Sequence, residues 1–146
     1  MKTILALLLI LATNYATADG LYTGAWSYHF HKDKWREVGW PLNQTHNLIA
    51  YKKNKYLFGY YKNSFGDDTI MLDREIYSSQ YHDVKFTLYA GVSYGYRFCA
   101  LEEADFSHQK ACLHAVPEIR YTKYKLQPAI LIMPCCLALS FRHEFD

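Results

Sequence analysis

Beyond residue 18, no segment is long and apolar enough for a membrane-spanning helix, which needs about 20 consecutive apolar residues. The run at 128–139 comes nearest, and Pro128 and Pro134 interrupt it. Cysteine is scarce, 4 in 146 residues, and no C-x-x-C pair is present. A zinc site built from these cysteines and His114 would therefore lack the usual ligand spacing, and neither metal nor cofactor is expected. Charge of one sign is also in short supply. The formal net charge is +2, with the basic residues scattered rather than clustered, so nucleic acid is not an expected partner.

What the chain does have is alternation. From Val84 to Cys99, the residues Val84, Phe86, Leu88, Ala90, Val92, Tyr94, Tyr96 and Phe98 fall on one side. Lys85, Thr87, Tyr89, Gly91, Ser93, Gly95 and Arg97 fall on the other. A period of two sustained this far is a long β-strand with one apolar and one polar or small face. Globular strands usually run to about 5–6 residues. The same pattern, less regular, marks further strands at 21–31, 46–53, 55–63, 69–77, 112–121, 124–133 and 135–145. Eight strands with short polar connections at one end and more open ones at the other predict an all-β, eight-stranded antiparallel up-and-down transmembrane barrel.

The N-terminus reads as an export signal. Lys2 supplies positive charge, Ile4 to Ala12 an apolar stretch, and Ala16-Thr17-Ala18 a small-residue cleavage site. Residues 1–18 are thus a signal peptide, and 19–146 a single barrel domain expected in the outer membrane as a monomer. Aromatic residues are plentiful, with 14 Tyr, 8 Phe and 3 Trp, as the interfacial girdles of a membrane barrel require. The last strand sets Leu137, Leu139, Phe141 and Phe145 on one face, and resembles the terminal signal read by outer-membrane assembly machinery. On the opposite faces of the strands, Asp73, Glu75, Lys85, Arg97, Glu118, Arg120, Lys125, Arg142 and Glu144 would point inward and must pair there. In an exported protein, Cys99 and Cys112 bracket one loop and are expected to form a disulfide, while Cys135 and Cys136 stay unassigned.

A soluble lipocalin-like lipid binder is the competing eight-stranded barrel. Gly24-Ala25-Trp26 fits its G-x-W start, and Asn43-Gln44-Thr45 fits a glycosylation sequon. The inward charges and the terminal Phe145 favour the membrane barrel.

Short segments then point to a family. They are Trp26-Ser27-Tyr28-His29, Tyr61-Lys62-Asn63-Ser64, Phe86-Thr87 with Ala90-Gly91-Val92-Ser93, and the pair Pro117 and Pro134. Together they resemble the outer-membrane lipid A palmitoyltransferase (PagP) family, eight-stranded barrels that move a palmitoyl chain from a phospholipid to lipid A. The resemblance implies an acyltransferase whose partners are membrane phospholipid and lipid A. It also implies a lateral lipid door at Pro117 and Pro134, because proline cannot donate to a strand ladder. His29 would be the general base, Ser64 its polar partner and Asn63 an orienting or oxyanion-binding amide.

Departures accompany the matches. Asn63 stands where the family has an acid, Gly24 where it has a proline, and Asp73-Arg74-Glu75 near the floor of its acyl pocket. A non-enzymatic outer-membrane barrel, whether structural, pore or adhesin, is the alternative, since a fold does not carry a function by itself.

Overall fold

In the computed structural model, which describes residues 19–37, 39–97, 99 and 108–145, the alternation resolves into eight strands closed on themselves. They are β1 (Gly20–His29), β2 (Thr45–Lys53), β3 (Tyr56–Lys62), β4 (Asp68–Tyr81), β5 (Val84–Tyr96), β6 (Lys110–Tyr121), β7 (Leu126–Met133) and β8 (Cys136–Glu144). Each pairs antiparallel with its sequence neighbour, and β1 pairs with β8 to close the barrel. The export signal at 1–18, Phe98, most of the loop between Cys99 and Cys112, and Asp146 lie outside the described residues.

Connections alternate as expected. At the floor, where β1 begins, the turns are 54–55, 82–83 and 122–125. The rim, at the other end, carries the longer connections, together with the tight 134–135 turn. One long connection holds a short helix, α1 (Lys32–Glu37), that the sequence reading missed. β4 also runs to Tyr81, past its expected end at 77, because a two-residue turn with His82 at φ 51° suffices to start β5.

Two bulges correct the assignment of faces. At Gly24 and Ala25, both with positive φ, the register of β1 steps against both neighbours. The extra residue reverses the alternation below it. Unbroken alternation with Trp26, Tyr28 and Phe30 would set Tyr22 outside and Thr23 inside; with the bulge, Tyr22 is buried inside and Thr23 is exposed. Above the bulge, Ala25, Ser27 and His29 are buried while Trp26, Tyr28 and Phe30 face out. A second step between Tyr94 and Tyr96, at Gly95 with φ 128°, turns Tyr96 toward Tyr61. Their hydroxyls lie 3.1 Å apart, so Tyr96 leaves the outer face assigned to it.

The lower interior is polar, with charges of opposite sign set against one another. Lys52 and Glu75 meet at 3.1 Å, Arg142 and Glu144 at 3.0 Å, and Arg120 and Glu118 at 3.7 Å. Tyr22 and Tyr89 share a 3.0 Å hydrogen bond among them. Removing one member of such a pair would strand a buried charge, at a cost of about 3–5 kcal/mol. Two expected inward charges lie elsewhere. Arg97 sits at the rim against Asp67, and Lys125 is exposed in the turn before β7.

Midway along the barrel, Asp73 on β4 reaches His114 on β6 at 2.7 Å, across the intervening strand β5. Gly91 on β5 stands between them in register. A methyl group there would collide with the Asp73 carboxylate and with the Leu72 carbonyl. Gly91→Ala should therefore lower the denaturation midpoint of the detergent-folded barrel, by the about 1–3 kcal/mol typical of overpacking. Heat-modifiable gel migration followed against urea would measure it, and an unchanged midpoint would rule out the bridge.

Candidate functional site at the barrel rim

His29 ends β1 and points inward because the Gly24–Ala25 bulge restores that phase. Ser64 follows β3 in the loop 63–67, and that loop is braced from three sides. Asn63 accepts at Oδ1 from the backbone N–H groups of Phe65 (2.9 Å) and Asp67 (3.1 Å). Its Nδ2 donates to the Gly95 carbonyl at 2.9 Å. Asn43 donates its backbone N–H to the Ser64 carbonyl at 2.7 Å, and Arg97 grips Asp67 through two bonds of 2.7 and 2.9 Å. Trp35 and Trp40 pack edge-on against Phe65, so the connection carrying α1 presses on the same loop.

Held this way, the Ser64 hydroxyl lies 2.8 Å from His29 Nε2. The direction of the bond follows from a chain of partners behind it. His46 Nδ1 lies 2.6 Å from the Lys62 carbonyl, which can only accept, so Nδ1 carries the proton. In a neutral ring Nε2 is then bare, and it accepts the Ser27 hydroxyl at 2.6 Å. With its own proton committed, Ser27 Oγ accepts from His29 Nδ1–H at 3.3 Å. His29 Nε2 is left as an acceptor, and Ser64 donates to it. A hydroxyl is thus aimed at a basic nitrogen whose tautomer is fixed by two further side chains, the relation a nucleophile needs to its base.

The structure brings His29 and Ser64 together, as the sequence suggested, and sets Asn63 in the loop that carries Ser64. Its Oδ1 braces the loop and one Nδ2 hydrogen holds the Gly95 backbone, so the buried amide acts on the loop that carries Ser64. Ser27 and His46 were missed. Their signal was present, since Ser27 shares the face of His29 two residues on and His46 opens the neighbouring strand. His31, two residues beyond His29, is exposed in the turn after β1.

The two prolines differ in position. β5 and β6 pair along nearly their whole lengths. Among the described residues, β6 meets β7 in register only at Glu118, Ile119 and Arg120, opposite Leu131, Ile130 and Ala129. Pro117 stands where that short ladder stops. Pro134 lies beyond it, exposed in the β7–β8 turn. From Pro117 to the rim, β6 and β7 part, and Leu113 on this stretch is 83 % exposed. Cys99 and Cys112 are joined in a disulfide that closes the loop beside this edge.

Cys135 is exposed and Cys136 buried beside His29, and both are free thiols. The hydrogen bond between them draws the Cys135 thiol down to about 7.

Fold and site together define a class: a closed eight-stranded up-and-down barrel with a serine–histidine pair at one rim and a laterally parted strand pair below it. Comparison with protein-family models, curated proteins and solved structures finds no match to this chain.

Proposed function

We propose that this protein is an outer-membrane acyltransferase that moves a fatty acyl chain from a phospholipid to lipid A or a related lipid. The observation that carries the reading is the Ser64 hydroxyl donating to His29 Nε2, at the rim of a barrel parted on one side.

A membrane location is supported by the sidedness. Charged side chains are buried within, while Ile49, Phe58, Ile70, Leu72, Ile130 and Leu139 are exposed without. A lipocalin-like binder needs the reverse. Aromatic groups flank that apolar band: Tyr51 beside Phe145 and Tyr121 beside Tyr124 toward the floor, Tyr28 beside Phe30 at the rim. Such girdles suit the two head-group layers.

Chemically, the Ser64 oxygen attacks the phospholipid ester carbonyl as its proton passes to His29 Nε2. The carbon–oxygen bond to the glycerol then breaks, and His29 returns the proton to the departing alkoxide. In the second half, His29 takes a proton from a lipid A hydroxyl, that oxygen attacks the acyl-serine, and the proton goes back to Ser64. Ser27 and His46 hold the His29 tautomer throughout. The acyl tail would lie against Leu48, Ala50, Tyr61 and Met71, which line the upper interior. That zone ends at the Lys52–Glu75 and Asp73–His114 pairs. From His46 to Lys52 along a tilted strand is about 15 Å of depth, shorter than an extended palmitoyl tail.

The ion-paired lower interior also favours a second reading, a non-enzymatic structural barrel. Mass spectrometry of lipid A from Gram-negative cells expressing the chain separates the two. One added acyl chain, absent with the His29→Ala variant, is the expected result. Lipid A unchanged by the parent protein would leave only the structural barrel.

A further inference from the structure

The zinc reading considered on spacing fails at Cys99 and Cys112, which are bonded to each other. A different set of ligands assembles in space. His29 and Cys136 are direct register partners across β1 and β8, and both are buried. Opposed residues on one face of an antiparallel pair hold their Cβ atoms about 4.5–5.5 Å apart. The backbone N–H of Phe30, next in the chain to His29, donates to the Cys135 carbonyl at 3.1 Å and pins the β7–β8 turn to the end of β1. That turn brings both sulfurs to the same spot, although adjacent residues in an extended strand would point to opposite faces. The two Sγ atoms are 3.6 Å apart. The donor atoms of His29, Cys135 and Cys136 all lie within 4.8 Å of one another.

We propose that His29, Cys135 and Cys136 form a binding site for a single thiophilic divalent metal ion, of which Zn²⁺ is the type. Zinc–sulfur bonds of about 2.3 Å at a tetrahedral centre set two thiolates roughly 3.8 Å apart, close to the separation already present. Two thiolates and one imidazole complete three corners and leave a fourth open, the Cys₂His pattern. Binding releases one proton from each thiol, and no oxidant is involved. Cys135, at the surface, gives the ion its way in, and a bound ion would keep the paired thiols from oxidising to each other.

The site has a built-in consequence. In the neutral ring the only free lone pair of His29 is at Nε2, the one that Ser64 uses. Metal and Ser64 therefore compete for one nitrogen, and the metal-bound rim is an off state for any chemistry that needs that pair. The binding site itself stands whether or not the barrel transfers acyl chains.

Titrating the purified, detergent-folded, chelator-stripped protein with Co²⁺ tests it. One equivalent should produce thiolate-to-cobalt charge-transfer absorption and the visible bands of a tetrahedral ion, and Zn²⁺ should abolish both. Cys135→Ser, Cys136→Ser and His29→Ala should each weaken binding by at least about tenfold, the scale seen on losing even an outer-shell partner. Ser64→Ala should bind as tightly as the parent or more so, because its competitor for Nε2 is gone. Binding indifferent to the three ligand substitutions, absence of the charge-transfer band, or recovery of Cys135 and Cys136 from cells as a disulfide would each overturn the site. Loss of binding in Ser64→Ala would overturn the competition.

Discussion

His29→Ala should reduce acyl transfer by at least about two orders of magnitude, the lower bound for losing a general base, while the barrel still assembles and migrates heat-modifiably. Ser64→Ala should fall as far or further, because without that oxygen no acyl-enzyme forms. The two losses should not add, since each alone removes the same unit. Mass spectrometry of the parent, quenched with phospholipid but no acceptor, should find the acyl group on Ser64. In Ser64→Ala and His29→Ala it should be absent. Ser27→Ala and His46→Ala keep both reacting groups and remove only what orients them, so they should lower kcat and leave KM in place. If His29→Ala and Ser64→Ala both transfer like the parent, the rim is not the active site.

Asn63→Asp separates this geometry from the family resemblance. Placing an acid there restores the family's residue, and on the resemblance alone it would preserve or raise activity. The structure predicts the opposite. Asn63 is fully buried, and its Nδ2 donates to the Gly95 carbonyl. A carboxylate would set an oxygen against that oxygen, with no proton to share. The loop carrying Ser64 should loosen, and transfer should fall through kcat.

How far the sequence could be read depends on what breaks its periodicity. Alternation located all eight strands because each has one apolar and one polar or small face, and the closed barrel imposes that rule between its outside and its inside. It misplaced Tyr22, Thr23 and Tyr96 because one inserted residue at Gly24–Ala25 or at Gly95 inverts every side chain beyond it. Nothing in composition distinguishes a bulge glycine from any other. α1 was missed for a different reason. Its six residues bury none of their side chains, so no apolar stripe marks them. The contacts of Trp35 and Trp40 with Phe65, 25 or more residues along the chain, fasten this segment to the Ser64 loop. At the site, His29 and Ser64 were legible as strand-end residues at the same rim. The partners of Asn63 were not legible, because the Gly95 carbonyl and the loop N–H groups are backbone groups that no side-chain motif records.

Closing the parted edge between β6 and β7 should stop transfer altogether. Continuing the register past Glu118 opposite Leu131 would place Val116 opposite Met133, one step above Pro117. A disulfide between cysteines at 116 and 133 would draw the strands together where they now part. It should be built with Cys135 and Cys136 replaced by serine, so that the new pair has no competitor. Oxidised, this variant should fold and migrate as the parent does but transfer no acyl chain, because a lipid tail within the bilayer cannot pass a continuous ladder. Reduced, it should recover the activity of the serine-substituted parent, with that parent carried through the same reductant to account for opening Cys99–Cys112. Proline matters here by omission. Pro117 has no N–H to give β7, and its ring disfavours the regular pairing that would zip the strands upward. Replacing Pro117 with alanine should therefore slow transfer without abolishing it, the mild form of the same closure. Full activity in the oxidised double-cysteine variant would exclude a lateral route, and lipid would then have to reach His29 and Ser64 over the rim.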